Sequence, residues 1–221
     1  MLKRISVVLL LLVISAAYLP AQKVFEGMVE YKIQSDDEVQ NVKYFSKGDS
    51  FRMEVAGDKS NPMASGAFIF GKDKMIILMP EQKMYMEMPV NMAENMMGGK
   101  QEEVEDPGDM GEPTISNETK TILGYTCQKW SYSNAENDME MWVSKDLGMF
   151  MGTENPMGGG IPSWYEKYAG EGMFPLEILM KDKKGNQEFK MEAVDIKEGG
   201  VSEDMFKAPA GWTKMNMGGM Q

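Results

Sequence analysis

The chain contains no histidine and a single cysteine, Cys127, among its 221 residues. Without histidine, the commonest general base and the commonest zinc ligand are both missing, and no Ser-His or Cys-His catalytic arrangement can be assembled. A lone thiol cannot close an internal disulfide. It lies in Gly124-Tyr125-Thr126-Cys127-Gln128-Lys129-Trp130, which reads as a strand, so burial is expected. A reactive thiol would need an electropositive, partly exposed setting, and only Lys129 is near in sequence. Carboxylates are plentiful, yet no pair stands out from 34 acids as an acid/base couple. The chain is therefore expected not to be an enzyme and to carry no cofactor.

Long apolar runs are also scarce. The one such run, Ile5–Ile14, is broken only by Ser6, follows Lys3 and Arg4, and precedes Ser15, Ala16, Ala17 and Ala21. A basic start, a short apolar core and small residues at the exit form a secretory signal peptide, too short to remain as a membrane span. Cleavage is expected after Ala21, with Ala17 the second choice. No cysteine sits near the cleavage site, so a lipid anchor is not expected. The mature protein is thus expected to be exported, periplasmic or extracellular, soluble and not membrane-spanning. Its formal charge of −11, made more negative by loss of Lys3 and Arg4, disfavours nucleic acid and anionic membrane surfaces as partners.

Residues 22–215 read as one β-rich domain. Phe25, Val29, Tyr31 and Ile33 alternate with polar positions at the period of a half-buried strand. Further strands are expected over Val39–Ser46, at Phe51–Val55, over Ala67–Phe70, Met75–Met79 and Lys83–Met88, and then over Thr114–Leu123, Tyr125–Ser133, Met139–Ser144, Phe174–Lys181 and Gln187–Lys197. Gly71-Lys72-Asp73-Lys74 and Lys183-Lys184-Gly185-Asn186 supply hairpin turns. Residues 89–113, rich in glycine, proline and acids, are expected to form a flexible acidic loop with a short amphipathic turn at Met92–Met97. Its acids do not follow the EF-hand spacing. Pro162, Trp164, Tyr165 and Tyr168 place one short helix over Ile161–Ala169, and Val201–Phe206 is expected to form a single helical turn. The tail 216–221 is expected to be disordered. Together these elements predict a mainly β fold, a curved antiparallel sheet or half-open β-barrel wrapping one short helix.

What the chain has in excess is methionine, 25 in all. Many stand two apart, as in Met84, Met86 and Met88, or Met139 and Met141. On a strand, residues two apart share a face, so the first three form a thioether row. Three uses are open: core filling by flexible side chains, an adaptable surface for apolar ligands, and capture of Cu(I), for which thioethers are suited. The tryptophans, spread over separate elements, read as core.

Three segments carry a family resemblance: Thr119-Lys120-Thr121-Ile122-Leu123-Gly124-Tyr125-Thr126-Cys127, then Phe174-Pro175-Leu176-Glu177, then Val201 through Trp212. Phe25-Glu26-Gly27 and Ser50-Phe51-Arg52-Met53-Glu54 agree with them. The chain resembles an uncharacterised family of exported bacterial domains of unknown function, related in fold to the outer-membrane lipoprotein carriers and their receptors. The resemblance implies a half-open antiparallel barrel around a short helix, with an apolar groove able to take acyl chains, and no known activity. The expected occupant is an apolar ligand or lipid, or a lipidated or other cell-envelope protein. The expected lining is Met84, Met86, Met88, Met139, Met141, Trp164 and Tyr165, with no metal. A soft-metal site on the same thioethers and a structural module of the envelope are the alternatives.

Overall fold

The computed structural model describes residues 24–35, 38–56, 66–90, 92, 112–149, 168 and 172–215. The expected signal peptide, most of the 89–113 loop, most of the Ile161–Ala169 helix and the tail 216–221 lie outside these residues.

Among the described residues twelve strands form one sheet: β1 (Gly27–Ser35), β2 (Glu38–Lys47), β3 (Ser50–Val55), β4 (Gly66–Phe70), β5 (Lys74–Met79), β6 (Met84–Pro89), β7 (Thr114–Ile122), β8 (Tyr125–Ser133), β9 (Asn137–Ser144), β10 (Phe174–Asp182), β11 (Gln187–Glu198) and β12 (Thr213–Met215). Their order is β12-β6-β5-β4-β3-β2-β1-β11-β10-β9-β8-β7. The sheet is therefore two meanders, β1–β6 and β7–β11, joined where β1 pairs antiparallel with β11. It is open, with β12 at one edge and β7 at the other. The mainly β, curved antiparallel architecture expected from the alternation is the one observed.

The hairpin at Gly71–Lys74 forms, its Gly71 amide donating to the Lys74 carbonyl at 2.9 Å. Most strand limits fall within one or two residues of expectation. Strand β12 is not legible in the sequence. Its three residues pair in parallel with Met84, Tyr85 and Met86 of β6, a contact that only the return of the chain's end can create.

Strands β4 and β5 are apolar on both faces because both faces are covered. One face carries Phe70, Met75 and Ile77. The other carries Ala67, Ile69, Ile76 and Leu78, packed under Tyr85 and under Phe206, Ala208 and Trp212 of the C-terminal segment. That segment begins with a 3-10 turn, Glu203–Phe206, where the single helical turn was expected; the Ser202 side chain caps it by accepting from the Asp204 amide. Arg52, on the same side of β3, donates to the Met205 carbonyl at 2.8 Å and pairs with Glu54.

Candidate functional site

The register of the strands assembles one long apolar face. Residues paired across neighbouring strands point to the same side. A first row runs Met86, Ile77, Phe68, Met53, Tyr44, Val29 and Ile196 from β6 to β11, each opposite the next. A second runs Ile33, Met191, Ile178, Met141, Trp130 and Ile115 from β1 to β7. Val29 and Ile33 stand four apart on β1 and share its face, so the rows belong to one surface. The packing agrees: Ile33 and Tyr44 touch both the central cluster and the β2–β6 cluster, and Ile178 touches both the central cluster and that around Trp130. The phase is kept by a bulge in β11, where Glu30 pairs with Asp195 but Tyr31 with Ala193, leaving Val194 turned out and 45% exposed.

This face is sealed at one end and accessible at the other. At the end formed by the start of β1 and the close of β6, the side chains of Val29, Phe51, Phe70, Met75 and Met88 are buried on this face, and Phe25, Phe174 and Leu176 are buried beside them, the bulge in β10 setting Phe174 opposite Ser144. Phe25 and Phe174 meet edge to face, their centroids 4.8 Å apart. Tyr44 stacks on Phe51, which packs on Phe70. At the opposite end, where β1, β3, β5 and β10 finish and β4, β6, β9 and β11 begin, the apolar-face residues Ile33, Val55, Phe68, Met79, Met84, Met139, Met180 and Phe189 are half-buried, while Tyr132, opposite Met139, is buried. Antiparallel pairing puts all of these at the same end of the sheet.

Tyr31 marks the boundary. It is fully buried, opposite the small Ala193, and its hydroxyl donates to the Pro175 carbonyl on β10 at 2.7 Å. The small partner on β11 leaves room for that reach. Burial first, and the neighbouring Tyr44 second, hold the Tyr31 phenol well above its ordinary range. Burial pushes Tyr44 up to about 12. Both stay neutral at working pH, so the middle of the face carries no ionised group from them.

The expected lining residues separate into three groups. Met84, Met86 and Met88 do share one face, with Met88 1% exposed at the sealed end and Met84 and Met86 half-buried toward the open one. Met139 and Met141 lie on the same surface but across the sheet, beside Met180 and Ile178 and in the Trp130 cluster. Trp164 and Tyr165 lie outside the described residues. Their neighbour Tyr168 is described, helical and edge-on to Trp130 at 5.0 Å. Ile33, Val55, Phe68, Met79, Met180 and Phe189 were not singled out as lining by sequence. Each is in phase with the apolar side of its strand, but phase does not tell which end of a strand stays open.

Cys127 is completely buried in the central cluster with Trp142 and Leu176, as expected. Burial pushes its thiol up to about 11.

Fold and face together define a mainly β protein built on a single open sheet with one continuous apolar side. The chain belongs to the family described as a domain of unknown function, DUF4412, whose pattern matches residues 25–212. Among solved structures, it is similar to an uncharacterised conserved protein from Thermus thermophilus, at 10% identity and a TM-score of 0.50, over 86% of this chain and 90% of that one. It is similar to a chain of the Pseudomonas aeruginosa MucA/MucB complex at 9% identity and a TM-score of 0.51, over 85% of this chain and 57% of that one. This chain thus spans little more than half of that relative. A LolA superfamily protein from Nitrosomonas europaea matches at 13% identity, over 84% and 90% of the two chains, but its TM-score of 0.33 gives it no weight. None of the curated proteins matches. At such identities the likeness is one of fold. No helix among the described residues is long and apolar enough to cross a membrane.

Proposed function

We propose that this chain is an exported, non-enzymatic binding protein that holds an apolar ligand, a lipid acyl chain or the lipid of a lipidated partner, against the open end of its apolar face. The observation that carries this reading is the contrast along that face, buried from Val29 to Met88 and mostly half-buried from Ile33 to Met84. A face built only as core would be sealed along its whole length. Half-exposed methionines at the open end are suited to a ligand of irregular shape, because the thioether stem repacks at small cost. Burying acyl surface is worth roughly 0.8 kcal/mol per methylene, so about ten methylenes supply ~8 kcal/mol before the cost of immobilisation. The basic and apolar start of the sequence supports export. The relative seen in the MucA/MucB complex leaves a protein partner as the other kind of occupant.

The test is native mass spectrometry of the mature protein recovered from the export compartment, followed by titration with a fluorescent fatty acid. An added mass of several hundred daltons that fragments as a lipid, displaced by the fatty acid, is the expected result. A clean unliganded mass together with no fatty-acid binding would sink the proposal and turn attention to cross-linking of a protein partner.

A further inference from the structure

The register brings together methionines that the sequence keeps apart. Met79 of β5 is directly opposite Met84 of β6. Met86, two residues further on, is opposite Met215 of β12. All four therefore point to the same side of the last three strands, at the edge of the sheet. All four are half-buried rather than sealed. Opposed residues have Cβ atoms about 5 Å apart, and next-but-one residues on a strand about 7 Å. Each thioether sits at the end of a stem with three rotatable bonds, long enough for neighbouring sulfurs to converge. Met215 owes its place entirely to the parallel pairing of β12.

We propose that Met84 and Met86, joined by one of their opposed partners Met79 or Met215, form a three-thioether site for a soft monovalent cation, Cu(I) above all. Uncharged sulfur donors favour Cu(I) over zinc, calcium or magnesium, which take imidazole, thiolate or oxygen ligands. Histidine is absent from the chain, and the single thiol, Cys127, is buried in another cluster. The strong negative charge of the protein draws cations toward it. A set serving only as core would be expected to be as closed as Met75 and Met88, each 1% exposed four residue pairs along the same hairpin from Met79 and Met84. The site does not depend on the binding reading above, although Met79 and Met84 belong to the same open end.

The experiment uses the full mature chain, anaerobic and reduced, and a colorimetric Cu(I) chelator as competitor. The wild type should withdraw about one Cu(I) per chain from the chelator, and Ag(I) should compete for the same place. Met79→Leu, Met84→Leu, Met86→Leu and Met215→Leu combined, a volume-conserving exchange that cores tolerate, should abolish that equivalent. The opposed pair on the far side of the sheet, Met139→Leu with Met180→Leu, should retain it. Should the fourfold variant fail to fold, X-ray absorption of the wild-type Cu(I) protein decides: only sulfur neighbours are expected. No withdrawal by the wild type, full withdrawal by the folded fourfold variant, equal loss in the control pair, or nitrogen and oxygen neighbours would each overturn the proposal. Fatty-acid binding measured on the same samples keeps this result separate from the fate of the apolar-ligand reading.

Discussion

Arg52 donates from its guanidinium to the main-chain carbonyl of Met205, 153 residues further along the chain, at 2.8 Å. That bond ties the Ser50–Glu54 strand to the Val201–Trp212 segment, two stretches among those that carry the family resemblance. The guanidinium satisfies a carbonyl of the 3-10 turn while keeping its ion pair to Glu54. The turn so anchored leads into Phe206, Ala208 and Trp212, which roof the outer side of β4 and β5. Replacing Arg52 with alanine is expected to destabilise the fold by about 1.5–3 kcal/mol, the worth of a hydrogen bond to a charged group. Urea unfolding with an unchanged slope, and faster protease cleavage after residue 200, would check this.

Tyr31→Phe keeps the ring and removes only the hydroxyl. The Pro175 carbonyl loses that donor beneath the sheet's inner packing, so a loss of about 1–3 kcal/mol is expected. A thermal midpoint indistinguishable from wild type would show that the bond contributes nothing net.

The two ends of the methionine row should differ in cost. Met88→Ala opens a cavity in a sealed cluster and is expected to cost about 2–5 kcal/mol, whereas Met84→Ala, half-buried at the open end, should cost clearly less. Met180→Asp, also at the open end, should leave folding intact but remove fatty-acid binding, since a carboxylate there must be desolvated by any acyl chain. Equal stabilities for the two alanine variants would argue that the face is closed along its whole length.

Acid should loosen the β12 edge. Hydrogen bonds from Lys214 and then Lys74 hold Glu87 below the ordinary glutamate range. A carboxyl depressed in the folded state contributes stability above its unfolded value, and that contribution is lost as pH falls through the folded value. The sensitive window thus begins at the ordinary glutamate range and extends downward past the depressed value. Lys214→Gln should flatten the fall in stability over that window, and added salt should weaken it in the wild type, because both lysines that pair with Glu87 are exposed. An acid limb identical to wild type in low salt would contradict this.

Cys127 should be silent toward a thiol reagent at neutral pH in the folded protein and react fully in denaturant. Its thiol is buried and lies near 11, so almost no thiolate is present. Rapid labelling of the native protein would contradict the burial.

Strand identity was legible because period-2 alternation is a local property: Phe51, Met53 and Val55 against Arg52 and Glu54 announce which side of β3 is buried before any partner is known. The hairpins followed from glycine, asparagine and aspartate at the turns, and the helical turn expected over Val201–Phe206 forms at 203–206, where the structure adds the Ser202 cap. The thioether row of β6 was equally local. What the tertiary structure alone decided is every relation between distant strands. The pairing of β1 with β11, the bulge that turns Val194 out, the return of β12 to β6 and the grip of Arg52 on Met205 depend on long-range registers that no window of sequence contains. The same holds for the candidate sites. Alternation placed Met84, Met86 and Met88 on one face, but only sheet register set Met79 and Met215 beside them. Only the stacking of strand ends made one end of the apolar face open and the other closed, because burial is a property of the assembled sheet rather than of any strand within it.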